Sequence, residues 1–233
     1  AVVHPVTGCP QGGIVSPVLA NIYLHYVLDL WFERVVKPRS RGRAYLCRYA
    51  DDFVCAFQYR ADAEAFYRVL GKRLSRFGLE LSGEKTRILR FSRHARRDSG
   101  RFDFLGFEYR WGVARSGKAC VQRRTSRRKL RASLVRFAEW CRTRRNWRLD
   151  RLFGELNAKL RGYYNYYGVI GNYESLREFY TQALRILYKW LNRRSERRSY
   201  NWSGFRELVR YFSVARPRIT ERRNTQLMLP GLS

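Results

Sequence analysis

An α+β fold in two parts is predicted for this chain by three observations. Short β-rich runs and turn glycines alternate with one or two amphipathic helices up to about residue 110, and beyond residue 125 the apolar residues recur at helical spacing between short polar loops. Charge divides the same way: residues 1–100 carry 17 basic and 9 acidic side chains, and residues 101–233 carry 31 and 10. The breaks at Gly112 and Gly117 place the boundary there, giving residues 1–112 a partial sheet-and-helix domain and residues 113–233 a helical one.

Each element has a local cause. Ser16-Pro17 reads as an N-cap followed by a first-turn proline. Leu19, Ile22, Tyr23, Tyr26, Val27, Leu30 and Trp31 then follow at spacings of three and four, so the helix is expected to run to about Val36 and to stop before Pro38. Ala44 to Phe57 is strand-like on both sides of Asp51-Asp52, which sit where a hairpin turns. A second helix is expected from about Asp62 to Phe77, with Phe66, Leu70, Leu74 and Phe77 on one face and Gly78 ending it. Leu79 to Leu81 and Thr86 to Phe91 are read as short strands, and Phe102 to Tyr109 as a hairpin arm. Helices at 126–146, 150–164, 173–194 and 202–213 complete the chain, the third with a seam of Leu176, Phe179, Ala183, Leu187 and Trp190.

Composition narrows the function. The chain has 233 residues, 48 Lys+Arg against 19 Asp+Glu, a net charge of +29 and 45% hydrophobic residues. So much apolar content predicts a folded core, and so much positive charge, nearly all of it arginine, predicts a polyanionic partner such as nucleic acid. No run of about 18 apolar residues is present, so membrane insertion is not expected. The five cysteines form no C-x-x-C pair and point to reduced thiols in a cytosolic setting. With only three scattered histidines there is no ligand set for a zinc finger or a Cys/His nuclease.

Adjacent carboxylates at a strand-to-strand turn, as in Tyr49-Ala50-Asp51-Asp52-Phe53, repel one another unless a cation lies beside them. A divalent ion removes that repulsion, and two-metal phosphoryl transfer uses such acidic residues. The plainer reading is an ordinary Asp-Asp turn. Further features come in a fixed order: Gly8-Cys9-Pro10-Gln11-Gly12-Gly13 before the first helix, where backbone can approach a phosphate or sugar; the Asp pair; Leu81-Ser82-Gly83-Glu84-Lys85-Thr86; and Phe104-Leu105-Gly106-Phe107.

These four segments, in this order, resemble the successive palm motifs of a group II intron-encoded reverse transcriptase. Leu160-Arg161-Gly162-Tyr163-Tyr164-Asn165-Tyr166-Tyr167 and Ile186 to Asn192 resemble the thumb or maturase domain of those proteins. The resemblance implies a partial reverse-transcriptase palm over 1–112 and an α-helical thumb/maturase domain over 113–233. It implies that Asp51 and Asp52 hold two catalytic Mg²⁺ ions, and that Lys85 sits near the incoming triphosphate. Pro10, Gln11, Gly12, Gly13, Tyr49 and Ala50 would line the template and nucleotide site, and Phe104, Leu105, Gly106 and Phe107 would form the primer grip. Cys9 stands where the family more often has Thr.

The resemblance further implies group II intron RNA, an RNA template with its DNA primer, and dNTPs as partners, in a bacterial-type cytoplasmic ribonucleoprotein. The family's metal site uses a further aspartate from an earlier palm strand. Before residue 50 the only acidic residues are Asp29 and Glu33, neither a credible substitute. The chain alone is therefore expected to bind nucleic acid without polymerising, an upstream half supplying the rest. A non-catalytic RNA-binding splicing factor descended from such an enzyme is the alternative.

Between Trp111 and Asp150 the chain has 13 basic residues and 2 acidic ones. Arg123, Arg124, Arg127, Arg128, Lys129, Arg131, Arg144 and Arg145 are accordingly expected to contact RNA. Among the clustered tyrosines, Tyr163 and Tyr167 are expected to pack with Leu160, leaving Tyr164 or Tyr166 as a base-stacking contact. His25 is expected to be packed or capped.

Overall fold

The computed structural model describes residues 15–94, 99–114, 116–194 and 199–222. They form an α+β chain that divides into two units, residues 1–105 and 106–233. The boundary read from the sequence, at 112/113, lies inside a strand of the second unit.

In the first unit, helix α1 (Ser16–Leu24) passes directly into two π-helical stretches, His25–Asp29 and Phe32–Val36, and closes with α2 (Lys37–Arg39). Ser16 is itself helical, after Val15, and Pro17 occupies the first turn. The helix does not stop before Pro38. The widened turn ahead of it takes the Lys37 N–H back to the Phe32 carbonyl, leaving room for a ring that offers no N–H of its own. Each wide turn also adds a residue and rotates the apolar stripe. Val27, Leu28 and Phe32 are buried, whereas Leu19, Ile22, Tyr23 and Tyr26, expected on the core face, are exposed.

Strands β1 (Ala44–Tyr49) and β2 (Asp52–Phe57) form an antiparallel hairpin in which Tyr49 lies opposite Asp52 and Ala44 opposite Phe57. One face, with Ala44, Leu46, Phe53, Cys55 and Phe57, packs with Val27, Leu28 and Phe32 and with Phe66, Leu70 and Leu74 of α3 (Arg60–Ser75). Trp31 stacks on Phe66, and Phe66 and Phe57 meet with centroids 5.3 Å apart. After α3, Gly78 takes φ +65, letting the Leu79 N–H reach the Leu74 carbonyl and end the helix. Leu79 to Leu81 and Thr86 to Phe91 are not strands; Leu79 and Leu81 are held by packing on the core, and the intervening chain turns back at Ser82. The unit closes on β3 (Phe102–Phe104).

The second unit starts with the hairpin of β4 (Phe107–Val113) and β5 (Ala119–Thr125), registered from Phe107 opposite Thr125 to Val113 opposite Ala119. Among the described residues four helices follow: α4 (Arg127–Arg144), α5 (Leu149–Tyr167), α6 (Tyr173–Leu191) and α7 (Trp202–Tyr211). Their apolar stripes share one core, with Phe137 and Trp140 of α4, Leu152, Phe153, Leu156 and Leu160 of α5, and Leu176, Phe179, Ala183 and Leu187 of α6. Full burial of such side chains contributes about 1.5–3 kcal/mol each. The α6 seam closes on Leu191 rather than Trp190; the indole is half-buried beneath cations, with Arg145 5.7 Å and Arg193 5.6 Å from the ring centroid. Buried Asn172 ties the α5–α6 loop to β5, accepting from the Thr125 N–H at 2.9 Å and donating to the Thr125 hydroxyl and the Tyr167 carbonyl, both at 2.8 Å. Among the described residues no helix is long and apolar enough to cross a membrane.

Candidate active site and basic surface

The β1–β2 turn consists of Ala50 and Asp51, one position earlier than the sequence placed it; Asp52 is the first residue of β2. A two-residue turn needs a left-handed residue to match strand twist, and here Ala50 supplies it, at φ +53. For an alanine this conformation costs about 1–2 kcal/mol. The strand alternation that packs Phe53, Cys55 and Phe57 against the core sends Asp52 to the other face with Tyr49, Cys47 and Tyr45, all exposed. Asp51 and Asp52 are both exposed, and among the described residues neither carboxylate has a hydrogen-bond or ion-pair partner.

Arg48 holds this turn from behind. Its Nε and Nη2 donate to the two oxygens of Asp29 at 2.7 and 2.6 Å, while Nη1 donates to the Ala50 carbonyl and to Asn21 Oδ1, both at 2.9 Å. Hydrogen bonding from Arg48 is the main reason Asp29 stays below the usual carboxylate range, and His25, half-exposed 3.4 Å away, adds to it. The guanidinium charge is thus matched by Asp29 and leaves the turn's carboxylates to other cations. Asp29 is thus paired with Arg48 and belongs to the turn's support.

Among the described residues no group of three metal-ligating side chains occurs. Asp51 and Asp52 nevertheless fit a hard cation such as Mg²⁺, which takes one or two carboxylates from protein and fills its other positions with water or substrate phosphate. Lys85 is exposed in the turn where Thr86 bonds back to the Ser82 carbonyl. Leu105 and Gly106 both have positive φ, +50 and +80, so the Phe104-to-Phe107 segment turns sharply. Pro10, Gln11, Gly12 and Gly13 lie outside the described residues.

The basic residues divide by environment. Arg127, Arg128, Lys129 and Arg131, at the start of α4, are exposed and carry no ion pair among the described residues. The α4 first turn holds no acidic residue and is capped by Ser126. These cations stand at the positive end of a helix dipole, an unfavourable place unless an anion joins them. Arg124 is half-buried on β5. Arg123 is committed elsewhere: it forks onto Glu221 at 2.6 and 2.7 Å, and Glu221 also accepts the Ile170 N–H at 2.6 Å. Burial opposes ionisation of Glu221, but these donors prevail and keep its carboxyl below the ordinary range. Arg144 lies 5.0 Å from the Trp147 ring, and Arg145 covers Trp190.

Tyr164 is wholly buried and donates to the Ala215 carbonyl at 3.1 Å, so it is a core residue and not a base-stacking candidate. Tyr163 stacks on Phe179 at 3.7 Å. Tyr166 is 57% exposed and lies parallel to Phe107, with centroids 6.0 Å apart. Arg48, Asn21, Asn172 and Glu221 were not singled out from sequence: their partners are distant in the chain, and no motif marks them.

Residues 3–109, just under half of the chain, match the family model described as reverse transcriptase (RNA-dependent DNA polymerase). No curated protein matches the chain. The family match supports a reverse-transcriptase domain over this segment, a class of polymerase that uses divalent metal, a template-primer and dNTPs. The Asp51-Asp52 hairpin lies within it.

Proposed function

We propose that the chain is the palm and thumb/maturase part of a group II intron reverse transcriptase, acting in RNA-directed DNA synthesis and in holding intron RNA for splicing within a cytoplasmic ribonucleoprotein. The observation that carries the reading is the strained hairpin tip, which presents two carboxylates with no partner among the described residues, inside the segment matching reverse transcriptases. Asp51 and Asp52 would hold Mg²⁺, with a further carboxylate supplied from upstream palm. Bound Mg²⁺ would make the primer 3′-hydroxyl more acidic and neutralise the leaving pyrophosphate. Lys85, exposed on its turn, would meet the triphosphate, and Phe104 to Phe107 would position the primer end.

Maturase action needs only a cationic surface that fits folded RNA, because the ribozyme supplies the chemistry. Exposed Arg127, Arg128, Lys129 and Arg131 support that role in a unit with its own core. The test is extension of a DNA primer on an RNA template with Mg²⁺ and dNTPs, by the chain alone and together with an upstream fingers-and-palm segment. Extension by the supplemented chain and its loss in Asp51→Ala are expected. Robust synthesis by the chain alone would refute the need for an upstream carboxylate. Intact RNA binding with no synthesis in either arm would favour the non-catalytic splicing factor.

A further inference from the structure

We propose that Arg48 is a positioning residue whose guanidinium holds Ala50 in its left-handed conformation and thereby aims Asp51 and Asp52 for metal binding. The metal-binding part of this inference rests on the proposed polymerase site; the conformational part does not.

A two-residue hairpin turn with alanine at its left-handed position lacks the residue that occupies it without strain, which is glycine. Something outside the turn has to hold it. Arg48 reaches the Ala50 carbonyl at 2.9 Å, a contact that holds the peptide plane between the two turn residues. That arm works because the guanidinium is immobilised at its other two nitrogens by both oxygens of Asp29, and at Nη1 itself by a second bond to Asn21. Its side chain is 12% exposed, so water competes little for these bonds.

The Asp29 end is anchored as well. Asp29 closes the first π-helical stretch, which presents backbone carbonyls to α3. Arg73 of α3 meets two of them, with Nε 3.0 Å from the Val27 carbonyl and Nη2 3.5 Å from that of Tyr26, while its guanidinium lies 4.4 Å from the Phe77 ring centroid. Helix α3, the π turn, Asp29, Arg48 and the Ala50 carbonyl therefore form one continuous support.

A lysine cannot replace this group. A single ammonium has the charge but not the planar fork that meets Asp29 with two nitrogens while a third reaches round to the turn. Loss of the Ala50 contact lets the turn relax toward unstrained conformers. If only about a tenth of molecules keep the native turn, apparent metal affinity falls about tenfold.

The experiment compares the 233-residue chain with Arg48→Lys, Arg48→Met and Asn21→Ala by backbone NMR. The intraresidue HN–Hα NOE of Ala50, strong only at positive φ, reports the turn. Cross-strand NOEs between β1 and β2 report the hairpin, and Mn²⁺ broadening of the Asp51 and Asp52 amides reports metal binding. The Ala50 signature is expected to be strong in the parent chain, lost in Arg48→Lys and Arg48→Met, and weakened in Asn21→Ala, with cross-strand NOEs kept. The Mn²⁺ midpoint is expected to rise about tenfold in Arg48→Lys.

Retention of the Ala50 signature with an unchanged Mn²⁺ midpoint in Arg48→Lys would overturn the proposal. So would loss of the whole hairpin in Arg48→Lys, because the arginine would then be structural rather than positioning. If Arg48→Met does not fold, Arg48→Lys and Asn21→Ala decide. Absence of Mn²⁺ broadening in the parent chain overturns the metal-aiming part and counts against the polymerase reading, while the Ala50 signature still judges the conformational part by itself.

Discussion

Replacing Arg127 and Arg128 together by glutamine is expected to make the protein more stable while weakening its hold on RNA. Both residues are exposed in the α4 first turn, next to the Ser126 cap, where no acidic residue offsets them. A misplaced cation at a helix N-terminus costs roughly 0.3–1 kcal/mol at low salt, so removing two stabilises by about 0.6–2 kcal/mol. For a domain of this size that corresponds to a rise in Tm of about 2–8 °C. If both contact phosphate, the log-log salt dependence of RNA binding becomes shallower by about 1.4–1.8. Thermal melts at low salt read the first effect, and filter binding to a folded RNA across a salt series reads the second. A lower Tm would refute the dipole argument, and an unchanged salt slope at unchanged affinity would refute phosphate contact at this helix end. An ordinary solvated charge run gives the rise in Tm without the loss of slope.

Asn172→Ala leaves the Thr125 N–H without its buried acceptor, while the Tyr167 carbonyl keeps the Val169 N–H, and should destabilise the second unit by about 1–3 kcal/mol, measured by denaturant unfolding. Glu221 ionises below the ordinary range in the folded chain, so its contribution is complete above the unfolded carboxyl's pKa and is lost as pH falls through the lowered one. Acid melts of Glu221→Gln should therefore show a smaller loss of stability than the parent over that window. Burial pushes the Cys55 and Cys141 thiols up to about 12. Iodoacetamide at pH 8, followed by peptide mass mapping, should modify exposed Cys47 well before either of them. Equal labelling would mean that the two cores open readily.

The amphipathic helices of the second unit were legible because each carries its own stripe at helical spacing, and local periodicity is what packing uses. The Ala44-to-Phe57 hairpin was legible for a similar reason, as two β-rich runs with little between them. The long first helix misled at two points. Pro38 is a helix stop only in a regular α-helix, and a stripe that ends on Trp31 assumes a constant turn; two π-helical stretches change both. The α6 seam missed its last member by one position, because Leu191 fits the core and the Trp190 ring serves the surrounding cations.

The order of short motifs in the sequence marked Asp51 and Asp52, and with them the chemistry to look for, because that chemistry depends on residue type at a turn. How the turn is held was decided only by the tertiary structure. Arg48 looks like one more strand cation among 48 basic residues until the fold brings Asp29 and Asn21 against it. The same holds for the basic surface. Sequence gives the charges, but burial and pairing separate Arg123, locked onto Glu221, from Arg127 and Arg128, which have no ion pair among the described residues and stand at a helix end. Charge is a property of the residue, whereas its availability to a partner depends on which distant side chains the fold has already placed beside it.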